Sequence, residues 1–179
     1  MSPFPPRTGP VTLVLGGARS GKSAHAERLV LGAGAEPLYI ATAEAHDAEM
    51  AERIARHRAD RAGRGWATVE EPLDVAGVIR REARPGRSIL VDCLTLWLSN
   101  LMLAGETPEG RQEELLVALA AATCPVVLVS NEVGLGLVPE TPLGRAFRDA
   151  QGRLNQAIAA RADHVFFVAA GLPFTLKPA

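Results

Sequence analysis

Five short apolar runs punctuate the chain: "VTLVLG" (11–16), "PLYIAT" (37–42), "SILVDCL" (88–94), "PVVLVSN" (125–131) and "HVFFVAA" (164–170). Each is continuous rather than alternating in polarity, the pattern of a strand covered on both faces. The longer segments between them predict helices at about 22–33, 47–62, 73–84, 95–104, 110–122 and 143–161. Strand and helix in alternation imply right-handed crossovers and a mainly parallel sheet, so the expected class is α/β in three layers. The terminal "PFTLKP" is a candidate edge strand. "RPGR" (84–87) and "PEG" (108–110) read as turns within the fold rather than linkers. No internal repeat or second domain is evident, and residues 1–179 are expected to form one domain with a flexible, proline-rich lead-in over 1–10.

Composition narrows the function classes. A formal net charge of −1 provides no basic field for nucleic acid, and 4% aromatics are too few for a stacking platform. Cys93 and Cys124, the two cysteines, each lie in an apolar run without zinc-site spacing, so buried free thiols in a reducing compartment are expected. The apolar stretch "LLVALAAATCPVVLV" is shorter than the ~20 residues of a membrane span, and Pro125 divides it into helix and strand. "MSPFPPRTGP" has no apolar core of a signal peptide. The expectation is a cytoplasmic protein without a membrane span.

The chemistry begins at "GGARSGKS", residues Gly16, Gly17, Ala18, Arg19, Ser20, Gly21, Lys22 and Ser23. This is the G-x-x-x-x-G-K-[ST] pattern, flanked by a predicted strand and a predicted helix as a phosphate-binding loop requires. Its glycines let amide N–H groups turn inward around phosphate oxygens, and the following helix N-terminus adds partial positive charge. Lys22 can bridge β- and γ-phosphates while the Ser23 hydroxyl binds Mg²⁺. The second metal-linked position is assigned to Asp92, which ends the apolar run of "SILVDC". Asp92 could instead cap the next helix, but Thr95 is available for that role. Glu132 is another strand-end acid, suited equally to a ligand site or to capping the glycine-rich loop that follows.

The segment "ERIARHRADR" (52–61) carries four arginines around His57. Asp47 can start this helix, and Met50, Ile54 and His57 then share one face, which by itself describes a core-side histidine. Arg53 and Arg61 lie one turn either side of His57. Crowded cations keep an imidazole neutral by like-charge repulsion, as an attacking nitrogen nucleophile requires. The arginines could equally form a solvated face paired with Glu49, Glu52 and Asp60, so the local pattern leaves His57 open between structure and chemistry.

Taken together, "GGARSGKSAHAE", "YIATA", "DAEMAERIARHRADR", "WATVEEP", "ILVDCLTLWLSNL" and "VVLVSNEVGLGLVPETPLGRAFRDAQGRLNQAIAARADHVFFVAAGLP" resemble the bifunctional adenosylcobinamide kinase / adenosylcobinamide-phosphate guanylyltransferase family. The resemblance runs from Val11 to Pro173 in the family order. It implies a RecA-like P-loop domain, a homotrimer, and two reactions of cobalamin biosynthesis. A nucleoside triphosphate, ATP or GTP, phosphorylates the corrinoid adenosylcobinamide; GTP then donates GMP to that phosphate through a covalent histidine–GMP intermediate. The histidine corresponds to His57, and Arg56 stands where some members carry a second histidine. Further nucleotide contacts map to Ala41, Thr42 and Ala43, to Arg58, Ala59, Asp60 and Arg61, and to Glu70, with Glu71 as the competing match. Asp92 replaces the glutamate that some members have at the Mg²⁺-linked position, so water-mediated contact is expected there. The loop Asn131–Glu140 is a candidate for the corrinoid side or a subunit contact, and its few titratable groups favour a structural role.

Overall fold

The computed structural model describes residues 9–45 and 48–178, with the side chains at 49, 50, 53, 57 and 60 outside that description. Asp47 and most of the expected lead-in also fall outside it. The described chain runs β1 (Val11–Gly16), α1 (Lys22–Gly32), β2 (Glu36–Ala41), α2 (Ala48–Ala62), β3 (Ala67–Glu70), α3 (Val75–Glu82) and β4 (Arg87–Asp92). It continues as α4 (Leu94–Leu103), α5 (Pro108–Ala121), β5 (Val126–Asn131), α6 (Pro142–Arg161), β6 (His164–Ala169) and β7 (Leu172–Lys177). One sheet in the order β3-β2-β4-β5-β1-β6-β7 takes in all these strands. Its pairings are parallel except β6 with β7, which is antiparallel.

Alternate residues of each central strand enter different cores. Leu13, Leu38, Ile40, Ile89, Val91, Val126 and Leu128 face a core built with α3, α4, α5 and α6. Val14, Tyr39, Leu90, Val127 and Val129 face a smaller core with Ala26 and Val30 of α1. Strands buried on both faces have no polar face to alternate with, which is why the apolar runs are continuous. The three layers expected from the sequence are therefore present. Strand β5 stands between β1, which leads into the glycine-rich loop, and β4, which ends in Asp92. This is the RecA-like arrangement implied by the resemblance.

Three local readings change. β3 was not expected: its four residues are mostly exposed, with only Val69 packed on the large core, so no apolar run announces it. "PEG" is not a turn but the first turn of α5, where Pro108 occupies a position whose N–H has no helical partner in any case. Thr95 does not cap α4. Cys93 is the N-cap residue and supplies no side-chain bond, while Thr95 Oγ1 accepts from the Asn131 N–H at 2.8 Å. The strand-end amide of β5 needs an acceptor, and the neighbouring helix provides it. "RPGR" is a turn as expected, with Gly86 at φ 84°. "PFTLKP" is the expected edge strand as far as Lys177: β7 takes in all of it but Pro178.

Candidate functional site

The parallel register brings a row of strand ends to one edge of the sheet. Ala41 lies opposite both Glu70 and Asp92, Asp92 opposite Val129, and Gly16 opposite Asn131. Open α/β sheets bind ligands at this carboxyl edge.

The loop leaving β1 is shaped by close approach. A Cβ on Gly16 would stand 2.5 Å from both Ser20 Oγ and the Val168 carbonyl oxygen. Gly21, at φ 92°, is the N-cap of α1 and provides no side-chain acceptor. The first amides of α1 are thus left for an external acceptor, the condition for holding an anion. Ser20 Oγ is buried without a hydrogen-bond partner. Lys22 Nζ donates to the Gly17 carbonyl at 3.0 Å, so the ammonium lies folded over the loop. Arg19 adopts φ 54°, and Ala18 and Arg19 are both exposed at its tip. Behind it, the Gly171 N–H donates to the Ser20 carbonyl at 2.8 Å, so the β6–β7 turn braces the loop.

Asp92 is half-buried and its Oδ2 accepts from the Tyr39 hydroxyl at 3.0 Å. Burial, reinforced by Asp92, raises the Tyr39 pKa far above the ordinary phenol range. The next residue, Cys93, is a buried free thiol, as is Cys124. Burial first, and then the Asp92 charge, push the Cys93 thiol up to about 11, against the opposing influence of Lys22. Burial thus favours the protonated thiol at Cys93. Thr42 is fully buried: its hydroxyl donates to the Cys93 carbonyl at 2.7 Å and accepts from the Cys93 N–H at 2.8 Å. Its carbonyl accepts from Asn100 Nδ2 at 2.7 Å. Thr42 is thus committed to fastening β2 to β4; Ala41 and Ala43 on either side are half-buried.

Helix α2 carries the basic segment past this edge. Arg58 pairs with Glu70 at 3.1 Å, so two expected nucleotide contacts engage each other across the site. Glu71 turns away: its Oε1 accepts from the Leu73 and Asp74 N–H groups, leaving Glu70 as the acid beside α2. Arg61 is only 5% exposed, and its guanidinium carbon lies 3.6 Å from the Tyr39 ring centroid. Ala59 is exposed. His57 and Asp60 belong to α2, but their side chains lie outside the described residues. Tyr39 was missed by the sequence reading. Its signal was a lone tyrosine in a fully buried strand, where a phenol hydroxyl must find a partner.

Glu132 resolves as a loop cap. Its Oε1 accepts from the Gly134 N–H at 2.8 Å and its Oε2 from the Leu135 N–H at 2.9 Å. Arg148 donates to the Gly134 carbonyl from α6, while Leu135 and Leu137 are left exposed.

Among the described residues no group of three His, Cys, Asp or Glu side chains converges on a metal position. A cation at Ser23 and Asp92 would therefore take most of its ligands from phosphate oxygens and water. That ligand set suits Mg²⁺, which keeps several waters and is seldom caged by protein. No helix among the described residues is long and apolar enough to cross a membrane.

Comparison with known proteins agrees with this geometry. Residues 12–176 match a family described as cobinamide kinase / cobinamide phosphate guanyltransferase. The bifunctional adenosylcobalamin biosynthesis protein CobP of Pseudomonas aeruginosa is 53% identical over 92% of this chain and 96% of its own. The corresponding CobU protein of Salmonella typhimurium is 43% identical, over 92% of this chain and 98% of its own. A solved Pyrococcus horikoshii protein superposes with TM-score 0.58 at 8% identity, covering 96% of this chain and 88% of that one, which supports the fold alone. The chain belongs to the cobinamide kinase / cobinamide phosphate guanyltransferase family.

Proposed function

We propose that the chain performs two successive transfers at the carboxyl edge of its sheet. In the first, the hydroxyl oxygen of adenosylcobinamide attacks the γ-phosphorus of ATP or GTP, the bond from that phosphorus to the β–γ bridging oxygen breaks, and the nucleoside diphosphate leaves as the hydroxyl proton is lost to solvent. The loop Gly16–Ser23 binds the donor phosphates, with Lys22 offsetting their charge. Ser23 and Asp92 would hold Mg²⁺, which when bound neutralises charge developing on the leaving phosphates.

In the second, an imidazole nitrogen of His57 attacks the α-phosphorus of GTP. A P–N bond forms, the P–O bond to the β-phosphate breaks, and pyrophosphate leaves. An oxygen of the corrinoid phosphate then attacks the same phosphorus, the P–N bond breaks, and His57 is restored as adenosylcobinamide-GDP forms. Splitting one displacement into two is the benefit of a covalent carrier. Ala41, Ala43 and Glu70, with Arg58, Ala59, Asp60 and Arg61, would line the nucleotide; Thr42 would act through its backbone position.

One observation carries the reading most directly. Helix α2, which contains His57, is fastened to the carboxyl ends of β2 and β3 through Arg61 on Tyr39 and Arg58 on Glu70, on the same sheet whose β1 leads into the phosphate loop. The same reading has the 179 residues acting as one domain, in a cytoplasmic homotrimer. Sedimentation equilibrium at three times the chain mass would support that assembly, and a monomer would refute it.

Incubation with α-labelled GTP and Mg²⁺, followed by denaturing electrophoresis, tests the intermediate. Acid-labile, alkali-stable label on the wild type, absent from His57→Ala, is expected. An unlabelled wild type refutes the carrier, and equal loss of kinase activity in His57→Ala refutes the division of roles.

A further inference from the structure

We infer that Tyr39 is a positioning residue serving both transfers: its hydroxyl fixes the Asp92 carboxylate while its ring seats the helix that carries His57. The inference rests on the proposed reading of Asp92 and His57.

Tyr39 occupies a position in β2 that packing alone would give to an aliphatic side chain. It is 7% exposed and its neighbours in the small core include Val14, Leu90 and Val129. Burying a hydroxyl there is unfavourable unless it is bonded. The bond it makes is to Oδ2 of Asp92, at 3.0 Å. A carboxylate can only accept, so the phenol is the donor and defines the rotation of the Asp92 side chain. The free lone pairs of Asp92 are then presented to a hydrated cation in one orientation. A short acid reaching metal through water depends on such orientation more than one that binds directly.

The other side of the ring is equally occupied. Arg61 lies 3.6 Å over it, and Trp66 meets it edge-on at 5.8 Å and 84°. Arg61 is buried, yet its Nε has no hydrogen-bond partner. Among the described residues no acid pairs with Arg61, and the π face supplies the compensation. Arg61 follows His57 by four residues, one helical turn. The other described ties of this region, Arg58–Glu70 and Arg64–Glu27, join partly exposed side chains, and such pairs stabilise little. One ring thus connects the acid at the end of β4 to the helix of the nucleophile.

The two roles separate by mutation. Tyr39→Phe keeps the ring and removes only the hydroxyl; Arg61→Met keeps the helix former and removes the cation. Mn²⁺ affinity of the GTP complex, measured by electron paramagnetic resonance, is expected to fall about tenfold in Tyr39→Phe, roughly the loss of one net hydrogen bond to a charged group. GTP affinity without metal should stay at the wild-type value. At saturating GTP, where a lost nucleotide contact no longer limits the rate, Arg61→Met should label with α-labelled GTP at least about tenfold more slowly, the scale of losing a buried cation–π contact. Thermal midpoints near wild type would establish that both variants fold. Unchanged Mn²⁺ affinity in Tyr39→Phe overturns the hydroxyl's role, and unchanged labelling in Arg61→Met overturns the ring's role. Asp92→Asn separates the levels. A loss there without one in Tyr39→Phe refutes Tyr39 alone, whereas no loss in either refutes the reading of Asp92 together with the inference.

Discussion

Gly16 and His25 show how single positions limit what the site tolerates. Gly16→Ala would drive a methyl group into the Val168 carbonyl oxygen, a backbone atom that cannot swing aside. Overpacking of this kind costs about 1–3 kcal/mol, which corresponds to about five- to 150-fold in affinity where it distorts the bound loop. Titration calorimetry with GTP should show that loss. His25, in the second turn of α1, packs edge-on against Phe166 with its Nε2 buried and unpartnered. Burial, helped by the Arg28 charge, holds its pKa below 6.5 in the folded chain. On acidification the unfolded chain therefore takes up the proton first, and stability falls as pH drops from 6.5 toward the folded value. His25→Phe should weaken that dependence, read as a smaller change in urea midpoint between about pH 7.5 and about pH 5.5. An unaltered pH dependence would contradict the assignment. Of these residue-level facts, the phosphate loop was legible because its pattern is local. Tyr39, Thr42 and Thr95 were not, since each bonds a residue more than thirty positions away and depends on strand register.

At the scale of elements, the buried strands were legible almost to the residue because burial on both faces leaves an unbroken apolar run. β3 escaped because an exposed edge strand lacks that signature. The joints between elements are where sequence is silent and structure is decisive. Asn100 of α4 donates from Nδ2 to the carbonyls of Thr42 and Pro72, fastening the end of β2 and the turn before α3 to one helix. Asn100→Leu removes both donors while retaining bulk. Leaving buried carbonyls unpaired costs about 1–3 kcal/mol each, so a stability loss of about 2 kcal/mol or more is expected in chemical denaturation. Metal-dependent activity should fall with it, because Thr42 fastens the backbone just beyond Asp92.

For the whole molecule, the proposed site belongs to no single element: it draws on the loop after β1, the end of β4 and helix α2. A ligand bridging them stabilises the assembled sheet. Saturation at 100 times Kd adds about 2.7 kcal/mol, so Mg²⁺–GTP should raise the wild-type thermal midpoint by several degrees, about 2–4 °C per kcal/mol at this chain length. Lys22→Ala should lose most of that rise; retention of the full rise would remove Lys22 from phosphate binding. The class of fold was legible from strand–helix alternation, and the family from motif order. How α2 is attached was not, because the Arg61–Tyr39 contact joins residues separated by a helix and a loop.

The order of synthesis runs against the order of assembly. β1 leaves the ribosome more than a hundred residues before β5 and β6, the strands it pairs with. The brace behind the phosphate loop, at Gly171, comes later still. A nascent chain that already contains "GGARSGKS" thus has no finished cradle until β5, β6 and Gly171 have also been made.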